Sequence, residues 1–174
     1  MMAAAMTLQR LDSSDRHLYL YDTFEGMVKP TDEDVSYKGI KASSKFQKRR
    51  IHDGSSHWCH ASLDDVRAAM NSTGYDPANT HFIQGKVEET LPGEAPERIA
   101  VLRLDTDWYE STLHELVHLY PRLSEGGVII IDDYGDWLGA KKAVDQYLAE
   151  HQVSFLLHRI DDSARIGVKL ARAA

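Results

Sequence analysis

Aspartates follow directly after two short apolar runs of this sequence, and they carry its clearest chemical signal. Asp105 ends the run RIAVLRLD, Asp132 and Asp133 end the run GGVIIIDD, and Asp107 stands two positions beyond the first run. Continuous hydrophobicity over so few residues is typical of parallel strands that are buried on both faces. Because the carboxyl ends of parallel strands meet along one edge of a sheet, we expect these acids to lie close together.

A cluster of carboxylates at a sheet edge predicts a metal site. Clustered carboxylates raise one another's pKa unless a cation lies between them. Aspartate oxygens favour a hard ion such as Mg²⁺ over zinc, and the histidines and cysteine of HDGSSHWCH match no compact zinc-ligand spacing. The alternative is that single aspartates cap helices, since Asp is common in the turn between a strand and a helix. Two neighbouring strands that end in the same way favour the metal site.

Arg103 stands inside the first apolar run, two residues before Asp105. A charged side chain in a strand must find a partner of opposite charge if it is buried. We therefore expect Arg103 to pair with a neighbouring carboxylate.

The elements that position these acids alternate between strand-like and helix-like segments. This alternation predicts an α/β sandwich with a mostly parallel sheet. Residues 23–60 interrupt the pattern with a long polar stretch, which we interpret as a lid or insert loop. Beyond the two runs above, the patterns predict a strand over 17–22 that ends in Asp22, helices over 62–74, from Tyr109 onwards and over 138–150, and closing strands over 153–158 and 165–170.

The composition is that of a globular protein that forms a single domain over residues 1–174. Its hydrophobic fraction of 43% and charged fraction of 27% exclude a disordered tail, a fibre and a membrane protein. The net charge of −7 argues against nucleic acid or anionic lipid as the main partner. One cysteine, Cys59, excludes a disulfide framework, and the opening residues do not have the pattern of an export signal. We expect a cytoplasmic protein.

Seven segments of the chain together resemble the macrocin O-methyltransferase (TylF/MycF) family. The resemblance runs from about Tyr19 to Lys169, and the paired motifs LDTDWYEST and VIIIDDYG, at this separation, are its most specific part. The segments are YLYDTFEGM, ASLDDVRAAM, FIQGKVEETLP, VLRLDTDWYEST, LYPRLSEGGVIIIDDYGDW, KKAVDQYL and HRIDDSARIGVK.

The resemblance implies a Rossmann-like methyltransferase fold that uses S-adenosylmethionine (SAM) and Mg²⁺. The implied reaction is methylation of a hydroxyl on a sugar or related acceptor, such as a glycosylated natural product. The sequence is compatible with a homo-oligomer. Residue by residue, the resemblance implies that Asp105, Asp132 and Asp133 hold Mg²⁺, that Asp107 is the general base, that Asp22 binds the SAM ribose, and that Ser62, Leu63 and Gly85 lie near the adenine.

The chain departs from the family pattern at its start. Family members begin with a strand and a glycine-rich turn before the helix that MAAAMTLQRL resembles, whereas here no glycine occurs before Gly26. We therefore expect the sheet to lack its first strand, the central one, which would lie between the strands that end in Asp22 and Asp105. A truncated, catalytically impaired paralogue that acts as a binding or dimerisation module is one alternative function.

A haloacid-dehalogenase-like phosphatase is a second alternative, because RIAVLRLDTDWYE superficially resembles the start of that family. The phosphatases have Thr or Val four positions after the first aspartate, where this chain has Tyr109. They also carry a lysine ahead of the distal acids, and no lysine stands between Arg103 and Lys141. These differences favour the methyltransferase.

Overall fold

The computed structural model describes residues 1–52 and 55–171. In chain order its helices and strands are α1 (Met2–Arg10), β1 (Leu18–Asp22), α2 (Ala42–Arg49), β2 (Arg50–His52), β3 (Ser55–Ser56), α3 (Leu63–Asn71), β4 (Thr80–Gln84), α4 (Val87–Thr90), β5 (Ile99–Leu104), α5 (Tyr109–Leu119), β6 (Leu123–Ile131), α6 (Leu138–Glu150), β7 (His158–Arg159) and β8 (Arg165–Val168). Contacts between residues group the chain into two compact units, Met1–Val28 with Arg49–Thr90 and Lys29–Lys48 with Leu91–Ala174.

The first unit is built on a parallel pair of strands. β1 pairs with β4 in a register that places Leu18 beside Thr80 and Asp22 beside Gln84. Leu18 and Met70 belong to its buried core, together with residues of α1 and of the loop after α3. The predicted helix start at Ser62 is confirmed, because the Ser62 hydroxyl accepts a hydrogen bond from the backbone N–H of Asp65 at 3.2 Å.

The second unit contains a four-stranded sheet in the order β5-β6-β8-β7. β5 and β6 are parallel, as predicted, whereas β8 runs antiparallel to both β6 and β7. The β5–β6 register pairs Leu104 with Ile131, so both strands end at the same level. The side chains of these two residues are buried, and α5 and α6 pack against each other in the same unit.

The polar stretch 23–60, interpreted above as a lid or insert loop, contains regular elements. It contains the helix α2 and the antiparallel pair β2–β3, and residues 29–48 belong to the second unit. α2 buries Ala42 and Phe46 completely or almost completely. These two apolar side chains are the buried face of α2. Two apolar residues in a run of charged residues are too few to form a periodic pattern in the sequence.

The closing strands are shorter than predicted, and one strand was not predicted. Of residues 153–158 only His158 lies in a strand, and the strand expected over 165–170 covers Arg165–Val168. β4 was missed because THFIQ is too short and too polar to mark a buried strand. In the part of the chain that the structure describes, β1 pairs only with β4, and β5 pairs only with β6. No helix in the described ranges combines the length and apolar content of a membrane span.

Candidate functional site

Three of the predicted aspartates meet at the carboxyl end of the β5–β6 pair. One carboxylate oxygen each from Asp105, Asp132 and Asp133 lies within 4.8 Å of the others. The backbone N–H of Asp132 continues the strand ladder by donating to the carbonyl of Leu104 at 2.9 Å. The register of two parallel strands therefore brings the acids together, as the sequence predicts.

Arg103 neutralises part of this cluster. Its guanidinium donates one hydrogen bond to Asp105 and a second, at 2.9 Å, to Oδ1 of Asp132. The expectation that Arg103 pairs with a neighbouring carboxylate is confirmed. The side chain is 47% exposed, so the pairing is made at the surface of the sheet edge.

Asp107 lies beside the three acids but faces a different partner. Its backbone is in the left-handed region with φ +65°, and its N–H donates to Oδ2 of Asp133 at 3.2 Å. Its own carboxylate oxygen Oδ1 accepts a hydrogen bond from the indole N–H of Trp137 at 3.0 Å. Trp137 packs edge-on against Trp108, with ring centroids 5.0 Å apart. Asp107 is thus bonded both to Trp137 and to Asp133, at the margin of the group of three.

Burial and mutual repulsion raise the pKa values of Asp133, Asp107 and Asp105 in the metal-free protein. Burial raises the pKa of Asp133 to about 9, and the charges of Asp107, Asp105 and Asp132 add to the rise. Burial, with the charge of Asp105, raises the pKa of Asp107 to about 7 against the hydrogen bond from Trp137. Burial likewise raises the pKa of Asp105 to about 6, although Arg103 opposes the rise. The raised pKa values mean that the ionised carboxylates repel one another, so added positive charge would stabilise the cluster.

Asp34 is a further acid in this unit that the sequence did not single out. Its side chain is fully buried and accepts hydrogen bonds from the N–H of Thr31 at 2.7 Å and from that of Tyr109 at 2.8 Å. Tyr109 is the first residue of α5, so Asp34 caps the helix that begins two residues after Asp107. Nothing in the run TDEDV distinguishes Asp34 from its acidic neighbours.

The residues expected to bind SAM lie in the first unit, and two of them lie together. Asp22 ends β1, and its carbonyl accepts a hydrogen bond from the N–H of Gly85 at 3.0 Å. The Asp22 carboxylate accepts the N–H of Phe24 at 2.7 Å, which closes a tight turn after the strand. Ser62 and Leu63 stand at the start of α3, where the Ser62 hydroxyl also donates to Asp65 at 2.6 Å.

A polar cavity of about 190 Å³ opens beside the end of this strand pair. Gly85 is the one predicted SAM residue among the residues that line it. Ligand pockets typically measure about 300–1,000 Å³. This cavity is smaller, so it can hold only part of a cofactor such as SAM. Its described lining consists of Thr23, Glu25, Val28, Ser55, Gln84, Gly85, Lys86 and Glu89.

No zinc site was expected in the HDGSSHWCH segment, and part of that segment lies outside the described residues. Residues 53 and 54 and the side chain of His52 are not described. Among the side chains that the structure does describe, the grouping that could hold a metal ion is the one formed by Asp105, Asp132 and Asp133.

Comparison with known proteins decides the family. A model of the family described as Macrocin-O-methyltransferase (TylF) matches residues 1–166. This chain belongs to the macrocin O-methyltransferase family. The predicted resemblance is thereby confirmed over nearly the whole chain.

Curated relatives in this family include two antibiotic methyltransferases. The mycinamicin III 3''-O-methyltransferase of Micromonospora griseorubida is 34% identical over 167 residues, which are 96% of this chain and 61% of the relative. The 8-demethyl-8-(2,3-dimethoxy-alpha-L-rhamnosyl)-tetracenomycin-C 4'-O-methyltransferase of Streptomyces olivaceus is 34% identical over 84% of this chain and 52% of the relative. The chain thus spans between about half and two thirds of the length of these macrocin O-methyltransferase relatives.

Solved structures confirm the predicted fold class. The O-methyltransferase NovP is 28% identical and superimposes with a TM-score of 0.81 over 98% of this chain and 66% of NovP. The chain therefore has the Rossmann-like methyltransferase fold that the sequence predicts.

Proposed function

We propose that this protein is an O-methyltransferase that transfers the methyl group of SAM to a hydroxyl of a sugar or related natural-product acceptor, with the help of a divalent metal. The observation that carries the proposal is the grouping of Asp105, Asp132 and Asp133 beside Asp107 in a member of this family. Both curated relatives named above are O-methyltransferases, and the name of one gives a rhamnosyl-bearing acceptor. The net charge of −7 favours such a small-molecule acceptor over nucleic acid.

The three grouped aspartates fit a hard dication such as Mg²⁺. They offer three carboxylate oxygens within 4.8 Å of one another, and hard cations prefer oxygen ligands. The raised pKa values of Asp105 and Asp133 express the same need for positive charge. When bound, the metal would supply the positive charge that stabilises the alkoxide form of the acceptor hydroxyl.

Asp107 accepts the proton of the acceptor hydroxyl at its carboxylate in this proposal. A general base works best with a pKa near the operating pH, and the pKa of Asp107 is raised to about 7. The indole N–H of Trp137 fixes one carboxylate oxygen of Asp107. The backbone N–H of Asp107 donates to Asp133, which fixes the backbone at this position. Both contacts hold the base in place beside the grouped acids.

SAM would be held by Asp22 at the ribose and by Gly85 near the adenine. The support from the structure is that these two residues lie together at the end of the β1–β4 pair, beside the polar cavity. Ser62 and Leu63 carry the adenine role on the family resemblance alone. We propose further that segment 23–60 acts as a lid that excludes water from the acceptor.

Methyl transfer from labelled SAM to a glycosylated acceptor, with and without Mg²⁺, tests the proposal. Asp132→Asn should abolish metal-dependent turnover, because it removes one ligand. Asp107→Asn should lower turnover by about 10²–10⁴-fold while metal affinity is retained, because it removes only the base. Asp136→Asn is the matched control, since Asp136 is an exposed neighbour outside the group of three and should leave turnover unchanged.

Three results would contradict this function. Wild-type rates in both Asp132→Asn and Asp107→Asn would remove the assigned roles. Hydrolysis of an aryl phosphate in place of methyl transfer would favour the phosphatase alternative. No methyl transfer, together with a melting temperature that neither SAM nor Mg²⁺ changes, would favour a binding module.

A further inference from the structure

Arg103 is bonded to the same side chains that would hold the dication. Its guanidinium bridges Asp105 and Asp132, with one nitrogen directed to each carboxylate. The planar fork of arginine suits such a bridge, because its two terminal nitrogens donate in a fixed geometry. The third acid, Asp133, accepts the backbone N–H of Asp107 instead.

This pairing leaves the cluster short of positive charge. One guanidinium supplies a single charge to a group of three carboxylates, and its two bonds go to Asp105 and Asp132 and none to Asp133. A dication in the same place would supply twice the charge. Exchange of the arginine for the dication therefore lowers the repulsion among the acids.

The Arg103 side chain can leave the cluster at modest cost. It is 47% exposed, and its partners Asp105 and Asp132 are 43% and 36% exposed. Ion pairs at such exposed positions contribute little to stability, since water replaces much of the lost interaction. A long arginine side chain at the surface can turn its charged end into solvent.

We propose that Arg103 is a built-in competitor of the divalent metal: it holds Asp105 and Asp132 together in the metal-free protein and is displaced from them when the metal binds. The inference rests on the proposed metal site and adds to it a residue that sets metal affinity. Arg103 is a positioning residue in the metal-free state and weakens metal binding through the bonds that the metal must break.

Titration calorimetry of the full chain with MgCl₂ tests the competition. Arg103→Gln should bind Mg²⁺ about tenfold more tightly than the wild type, because no bridge has to be broken. Arg103→Lys should fall between the two, since one ammonium group cannot bridge both carboxylates as a guanidinium fork does. Arg103→Lys also keeps the test decisive if Arg103→Gln does not fold.

Arg165→Gln is the matched control for simple loss of positive charge. Arg165 pairs in register with Ile131, directly before Asp132, but its guanidinium donates to the backbone carbonyls of Asp161, Ser163 and Ala164. Arg165→Gln removes one positive charge from this sheet edge, as Arg103→Gln does, but it breaks no bond to the acidic cluster. We expect it to change Mg²⁺ affinity by no more than about twofold.

The outcomes separate this inference from the proposed function. Equal or weaker Mg²⁺ binding by Arg103→Gln, or equal tightening in Arg165→Gln, would overturn the competition while the metal site stands. Absence of Mg²⁺ binding in the wild type and in all three variants would overturn both. Thermal unfolding gives an independent readout: Arg103→Gln should lower the melting temperature of the metal-free protein and leave that of the Mg²⁺-saturated protein unchanged.

Discussion

Among the acids of the site, Asp133 has the most strongly raised pKa. Its side chain is 8% exposed, and its pKa in the metal-free protein is raised from 3.8 to about 9. A carboxyl group with a raised pKa binds its proton more tightly in the folded than in the unfolded protein. Its favourable contribution to stability is therefore complete below pH 4 and is lost progressively as the pH rises toward 9.

The metal-free protein should accordingly lose stability between about pH 4 and pH 9, and Asp133→Asn should reduce that loss. Since asparagine carries no charge, the variant should be more stable than the wild type at pH 8 by as much as about 6 kcal/mol. Urea unfolding at several pH values, in the presence of a chelator, measures both effects. Asp136→Asn should keep the wild-type pH dependence. A variant Asp133→Asn with an unchanged pH dependence would contradict the account of this buried acid.

The sequence predicts some residues of the site and not others, and the reason is their distance along the chain. Asp105, Asp132 and Asp133 follow two strands whose ends must meet, so local pattern and sheet geometry suffice to group them. The bond from Trp137 to Asp107 joins residues 30 positions apart. The bond from Tyr109 to Asp34 joins residues 75 positions apart. Such contacts depend on tertiary packing that no local pattern contains.

At the scale of elements, the loop before α2 is tied to the start of α5 by Asp34. Replacement of Asp34 by alanine leaves the N–H groups of Thr31 and Tyr109 without their acceptor in a buried place. Loss of such an acceptor costs about 1–3 kcal/mol for each buried group. We therefore expect Asp34→Ala to lower the free energy of unfolding by about 2–4 kcal/mol.

Urea unfolding at pH 7 measures this loss, and Asp32→Ala is the matched control. The Asp32 side chain is 95% exposed and pairs only at the surface with Lys41, so its removal should cost less than about 0.5 kcal/mol. Equal losses in the two variants would show that Asp34 does not join these elements. An Asp34→Asn variant that recovers part of the loss would support the hydrogen-bonding role, because its amide oxygen still accepts.

The elements themselves were predicted best where their hydrophobic pattern is strong. β5, β6, α3 and α6 lie within a few residues of their predicted positions, because continuous apolar runs and helix caps mark them. The β2–β3 pair inside 23–60 was missed, because its strands cover only three and two residues. β7 covers two residues, too few for any periodic pattern.

At the scale of the whole molecule, the family assignment and the acidic cluster support one another by different routes. Membership in the macrocin O-methyltransferase family rests on a match over residues 1–166. The cluster rests on the register of two strands. The chain covers 66% of NovP and a smaller share of the curated relatives.

The central claim is that Asp105, Asp132 and Asp133 together hold one divalent cation. Electron paramagnetic resonance of Mn²⁺, a hard dication that takes the same oxygen ligands, tests this claim without any turnover. We predict that the wild-type chain removes one equivalent of the free Mn²⁺ signal, that excess Mg²⁺ restores it, and that Asp132→Asn loses the binding while Asp136→Asn keeps it. Binding that persists unchanged in Asp132→Asn, or no binding by the wild type, would contradict the account.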